Sequence, residues 1–203
     1  MRAGKAPADG ERGGEFSAIL YRQARVKLLE TKTFWLSETP ETAGSKGWDA
    51  NLPRIVTWAK FQDLKTKKIF YHFNTHFDHI GARARAESSK LLLARVPKIA
   101  ARAPFVVTGD FNAEESTNVY KILTGLEEAA AFKLIDARYV SKNGHFGGNS
   151  TFNNFKEPEP NRTIDYIFIG EKTRVLEHGT LSDRWDGLWA SDHLPVLAEI
   201  VFD

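Results

Sequence analysis

Four short segments place acid, imidazole or amide groups beside apolar runs: Asn74-Thr75-His76-Phe77-Asp78-His79, Gly109-Asp110-Phe111-Asn112, Thr163-Ile164-Asp165-Tyr166 and Ser191-Asp192-His193. Histidines with pKa values near neutrality can move protons to and from alkoxides and water, and carboxylates can fix their tautomers or hold a hard divalent cation. Carboxylates, amides and imidazoles gathered in one cleft are therefore suited to cutting phosphate esters. Each segment has a plainer reading. Gly-Asp-Phe-Asn is also common turn chemistry, a lone histidine at a strand end is often only hydrogen-bonded, and Asp192-His193 could be an ordinary loop pair. Asp165 stands among Ile164, Tyr166, Ile167 and Phe168 and needs a partner if buried, either an imidazole such as His76 or the nearby Arg162. The occurrence of all four clusters in one chain favours the catalytic reading.

These groups need rigid elements to hold them. Ile55–Leu64 and Ile69–Thr75 read as strands of an antiparallel hairpin turning at Lys65-Thr66-Lys67-Lys68. Phe16–Tyr21, Val26–Leu29 and Thr33–Ser37 read as shorter strands, and the Gly- and Pro-punctuated stretch from Thr39 to Arg54 as a long loop. Apolar positions between Ala82 and Ala101 recur at helical spacing, with Pro97 expected to kink or divide the helix. Pro104–Gly109 reads as a buried strand, Ser116–Glu128 as a helix, Leu134–Ala137 as a short extended piece and Ser141–Pro160 as a loop. Thr163–Ile169 and Leu194–Phe202 read as closing strands. Hairpins with helices between some of them make a mixed α and β architecture.

The 203 residues suit one sizeable core, and 42% hydrophobic with 12% aromatic content supports a folded globule. A net charge of +2, with 28 basic residues set against 26 acids, permits a polyanionic partner without demanding one. Absence of cysteine excludes disulfides, thiolate zinc sites and cysteine nucleophiles, so any metal must use oxygen or imidazole ligands. Residues 1–14 lack an apolar stretch of the signal-peptide kind and are expected to be flexible, with the domain running over 15–203. No run reaches membrane-spanning length; the compartment and oligomeric state are left open.

Taken together and in this order, the four segments resemble the endonuclease/exonuclease/phosphatase superfamily, which includes deoxyribonuclease I, abasic-site endonucleases, sphingomyelinases and inositol-phosphate phosphatases. The resemblance runs from about Gly14 to the end of the chain. It implies an α+β fold, a four-layer α/β/β/α sandwich of two mostly antiparallel sheets packed face to face with outer helices. It implies phosphoester hydrolysis by in-line water attack with a divalent cation, Mg2+ with Mn2+ as the alternative. Residue by residue, His76 is similar to the histidine that meets the scissile phosphate or leaving oxygen, and Asp165 to its acid partner. His193 resembles the second active-site histidine, Glu15 the glutamate paired with it, and Asp192 a metal ligand. Asp110 and Asn112 match the pair that orients water and phosphate, and Arg54 resembles an arginine that contacts phosphate.

The family's opening strand with its asparagine, the helix after it and the strand ending in a magnesium-binding glutamate have no counterpart here. The chain is therefore expected to be N-terminally incomplete, to start at an internal or artificial methionine, to bind magnesium less well and to expose sheet edges. Trp48, Phe146, Phe152 and Phe155 lie in loops that could stack on a ring, and no basic cluster tracks a long nucleic-acid backbone. A small phosphoester is thus favoured over duplex DNA. The competing reading is a weak or inactive remnant that binds a phosphate-bearing ligand or a partner.

Overall fold

The computed structural model describes residues 14–126 and 132–203. Almost all of the expected flexible segment 1–14, and residues 127 and 128 of the expected helix, lie outside the described residues.

Strands β1 (Val26–Trp35), β2 (Ile55–Asp63) and β3 (Ile69–His76) form an antiparallel meander. The two pieces expected at Val26–Leu29 and Thr33–Ser37 are one strand. Glu30-Thr31-Lys32 looks like a break because β1 lies at the sheet edge and exposes its middle, with a register irregularity between Leu28 and Glu30. Phe16–Tyr21 forms no strand beyond a single bridge position at Phe16. Its backbone is tied to the sheet instead, where Asn74 Nδ2 donates to Ala18 O at 2.9 Å.

Helix α1 (Ala82–Ala100) crosses from β3 to the parallel strand β4 (Phe105–Asp110). It buries Ala84, Ser88, Leu92, Val96 and Ala100, one residue every fourth position, and this stripe carries it through Pro97 without a division. Pro97 stands in the last turn, so the backbone bond it forfeits leaves little helix beyond it. Helix α2 (Asn118–Thr124) ends at Gly125 in the left-handed conformation, φ 68°. Strands β5 (Ile135–Asp136) and β7 (Asp165–Ile169) complete a six-stranded sheet of order β1-β2-β3-β4-β7-β5.

A second sheet has the order β6-β8-β9, built from β6 (His145–Phe146), β8 (Thr173–Thr180) and β9 (Val196–Phe202). Strand β8 was not expected, because Lys172, Arg174 and Glu177 mask the buried positions Thr173 and Val175. Alternation along β4 explains the layers. Phe105 and Val107 face the helices with Phe73, Leu92, Val96, Tyr120 and Phe168, while Val106 faces the smaller sheet with Ile169 and Val175. The sheets thus pack face to face as expected of an α/β sandwich, and both described helices cover the outer face of the larger one. No helix among the described residues is long and apolar enough to cross a membrane.

Candidate active site

Strand register assembles the site. His76 at the end of β3 is paired with Asp110 at the end of β4, and Asp110 with Asp165 at the start of β7, which sets the three side chains in one row across neighbouring strands. Close approach of β3 and β4 requires Gly109, where a Cβ would lie 2.1 Å from the Thr75 carbonyl oxygen. His193 arrives from the loop before β9. That loop is pinned by Leu194 N donating to Thr151 O at 2.7 Å and by Asn153, whose N–H donates to Asp192 O at 2.8 Å and whose Nδ2 donates to Ser191 O at 3.1 Å.

Asp110 is the junction between the imidazoles: its Oδ2 lies 3.2 Å from His76 Nε2 and 3.9 Å from His193 Nε2. His193 Nδ1 lies 2.8 Å from Asp165 Oδ2, and His76 Nδ1 lies 3.3 Å from Glu15 Oε2. The expected pairing of His76 with Asp165 and of His193 with Glu15 is therefore exchanged. Strand order is the reason. β4 lies between β3 and β7, so Asp110 stands between His76 and Asp165, and the β9 loop lays His193 over β7. Arg162 is not Asp165's partner; it bonds Glu159 and stacks on Phe152, 4.4 Å from the ring centre.

Asn112, at φ 48°, donates its backbone N–H to Asp110 Oδ1 at 2.8 Å and its Nδ2 to Phe77 O at 3.0 Å. Arg54 is only 3% exposed; its guanidinium bonds Glu15, donates to His79 Nδ1 at 2.9 Å and lies 3.5 Å from Asp78. It holds protein groups in place, and Glu15 is what links it to His76. Asp192 lies outside the row: the carboxylate accepts from Ser191 Oγ at 3.3 Å.

Asp78 and His79 were given no individual role in the sequence, and Phe152 was expected only as a loop aromatic that could stack on a ring. Asp78 accepts the backbone N–H groups of Leu52, Ile80 and Gly81 and so shapes the turn after β3. His79 caps the Arg54 fork, and Phe152 meets His193 edge-on, ring centres 5.1 Å apart. Asp78 and His79 were visible beside His76, but the spacing does not say which groups turn outward. Phe152 is about forty residues from His193, and no local pattern signals that contact.

Electrostatics follow from burial. The Asp110 carboxyl is pushed up to about 7, first by burial and then by the neighbouring Asp165 carboxylate. His76 is pushed down to about 4 by burial and by Arg54, whereas His193 is raised by its bond to Asp165. Asp110, Asp165 and His193 each offer one ligand atom, all within 4.8 Å of one another, a group able to hold a metal ion. Two facing carboxylates that repel each other are a donor set that a hard divalent cation fits.

The model of the Endonuclease/Exonuclease/phosphatase family matches residues 4–193. The chain belongs to this family. Among solved structures, it is similar to the mannosyl-6-phosphatase of Bacteroides thetaiotaomicron, with 36% identity, 98% of this chain and 76% of that one covered, and a TM-score of 0.84. It is also similar to an endonuclease/exonuclease/phosphatase from Bacteroides vulgatus, at 37% identity, 90% and 69% coverage and a TM-score of 0.83. The human Nocturnin catalytic domain, at 23% identity, 89% and 62% coverage and a TM-score of 0.65, shares the fold. An uncharacterized protein of Acanthamoeba polyphaga mimivirus is 25% identical over 178 residues, 83% of this chain, which spans 63% of that relative's length. Members of the family are hydrolases that act on phosphoester bonds.

Proposed function

We propose that this protein hydrolyses a small phosphate ester, a phosphorylated sugar being the preferred class, by in-line attack of water with a divalent cation, magnesium or manganese. The observation that carries the reading is the convergence of two imidazoles on Asp110, 3.2 Å from one and 3.9 Å from the other, each imidazole backed by its own carboxylate. The sugar preference draws on the similarity to a mannosyl-6-phosphatase and on the lack of a basic track for a nucleic-acid backbone.

His193 acts as the base. Asp165 accepts the Nδ1–H, which leaves the Nε2 lone pair free to take a proton from water as the new oxygen–phosphorus bond forms. Asn112 and Asp110 orient that water and a phosphoryl oxygen, their spacing fixed by the hydrogen bond from Asn112 N to Asp110 Oδ1. His76 is held neutral by burial and Arg54, with Glu15 beside Nδ1 and Asp110 beside Nε2 on opposite sides of the ring. From Nε2 the neutral ring can donate a hydrogen bond to the leaving oxygen as the phosphorus–oxygen bond breaks, and that oxygen takes its proton from solvent. Asp110 and Asp165 would hold the cation, with Asp192 near His193 as a further acid; when bound, it supplies positive charge against the phosphoryl oxygens.

The test is hydrolysis of p-nitrophenyl phosphate, bis-p-nitrophenyl phosphate and mannose 6-phosphate with magnesium or manganese, beside the His193→Ala variant. Metal-dependent turnover lost in the variant is the expected result. Absence of turnover in well-folded protein would favour the ligand-binding remnant.

A further inference from the structure

A surface cavity of about 370 Å3, within the ~300–1,000 Å3 range of ligand pockets, is lined by segments that adjoin the catalytic row in sequence. Two of the segments that build the row also reach the cavity wall: Glu114 follows Asn112 by two residues in the chain and Thr163 precedes Asp165 by two. A second cavity, of about 410 Å3, lies at the other end of β4 against Phe105 and Lys172, away from that row.

Every lining residue carries a polar group, while about half of the surface they present is carbon. Glu114, Glu115, Arg138, Tyr139, Asn149 and Asn161 face it, and their formal charge sums to −1. Two internal bonds shape it: Arg138 Nη2 donates to Asn149 Oδ1 at 2.5 Å and Tyr139 O–H donates to Glu115. Among the described residues, the Asn149 amide N–H groups, the Asn161 amide and the Glu114 carboxylate have no protein hydrogen-bond partner. The Tyr139 side chain, 63% exposed, offers a ring beside them. Carboxylate acceptors, amide groups of both kinds, a guanidinium and one aromatic ring match alternating hydroxyls and C–H faces. A second phosphate would meet the net negative lining and be repelled.

We propose that this cavity is the subsite for the neutral, hydroxylated part of the substrate, a hexose or comparable polyol bearing a single phosphate. The assignment rests on the phosphoesterase reading above and names the substrate class for it. Glu114, Asn161 and Tyr139 are specificity residues that bind the leaving group without touching the phosphorus.

The experiment compares the wild type with Glu114→Ala/Asn161→Ala on mannose 6-phosphate and p-nitrophenyl phosphate. Loss of two hydrogen bonds, one to a charged group, should raise KM for mannose 6-phosphate ~20-fold or more while leaving p-nitrophenyl phosphate within twofold. A second variant, Glu114→Lys, should shift relative kcat/KM toward fructose 1,6-bisphosphate. Equal effects on sugar and aryl phosphates, or an unchanged bisphosphate ratio, would overturn the subsite. Saturation-transfer NMR of methyl α-mannoside reads the cavity without hydrolysis: binding by the wild type lost in the double variant supports it, and equal signals overturn it. A wild type that binds the mannoside but turns over neither phosphate would refute the phosphoesterase reading alone.

Discussion

Asp165→Asn is the sharpest probe of the row. The amide is nearly isosteric, so the β7 backbone and its register with Asp110 remain; the change falls on the 2.8 Å bond to His193 Nδ1 and on one carboxylate of the proposed cation site, a loss of metal affinity that saturating magnesium offsets. Loss of a bond between charged partners removes ~1.5–3 kcal/mol, or about 10- to 150-fold. The amide can also donate to Nδ1 and move the imidazole proton to Nε2, where it blocks acceptance from water; a base held in the wrong tautomer loses up to ~10⁴-fold. With Asp165 one-fifth exposed and open to solvent relaxation, kcat is expected to fall ~10²–10³-fold. The assay is hydrolysis of p-nitrophenyl phosphate at saturating magnesium by Asp165→Asn, His193→Ala and the double variant. Because both act through one imidazole, the double variant should be little slower than His193→Ala. Activity of Asp165→Asn within threefold of wild type, or losses that multiply in the double variant, would refute the pairing.

Asp136 is buried beneath Tyr120, and its carboxyl is pushed up to about 6 from 3.8, chiefly by burial. The fold therefore holds this proton more tightly than the unfolded chain, so its contribution is fully present below pH 3.8 and is lost as pH rises through 6, about 3 kcal/mol in all. Urea denaturation of Asp136→Asn should show that slope flattened, and an unaltered slope would remove Asp136 as its source. Gly109→Ala would set a Cβ 2.1 Å from Thr75 O at φ 153°, and thermal unfolding should show Tm lowered by roughly 6–12 °C for a cost of about 3 kcal/mol. Arg54→Met leaves Asp78, 2% exposed, without its guanidinium neighbour and should destabilise the fold by ~3–5 kcal/mol. The same variant should raise the His76 pKa in an NMR titration, since Arg54 lowers it; an unchanged titration would mean that Arg54 does not act on His76.

Long apolar runs were legible because burial on both faces leaves little choice of residue: Ile55–Asp63, Ile69–His76 and Phe105–Asp110 stand within a residue or two of where they read. Edge and outer strands were not. The exposed centre of β1 and the charged positions of β8 carry no alternation strong enough to mark them, since solvent accepts either residue type there.

For the site, residue types at strand ends marked His76, Asp110, Asn112, Asp165 and His193 as one chemistry, and local sequence determines that each such group caps an element. Which carboxylate serves which imidazole was decided only by strand order, with β4 between β3 and β7. That order also committed Arg54 to Glu15 and His79 and set Asp192 outside the row. Hydrogen bonding acts over about 3 Å, whereas the partners stand 28 to 61 residues apart in sequence, as Asp165 to His193 and Glu15 to His76 show. Sequence therefore chose the chemical groups, and the pairing of sheets and loops chose their partners.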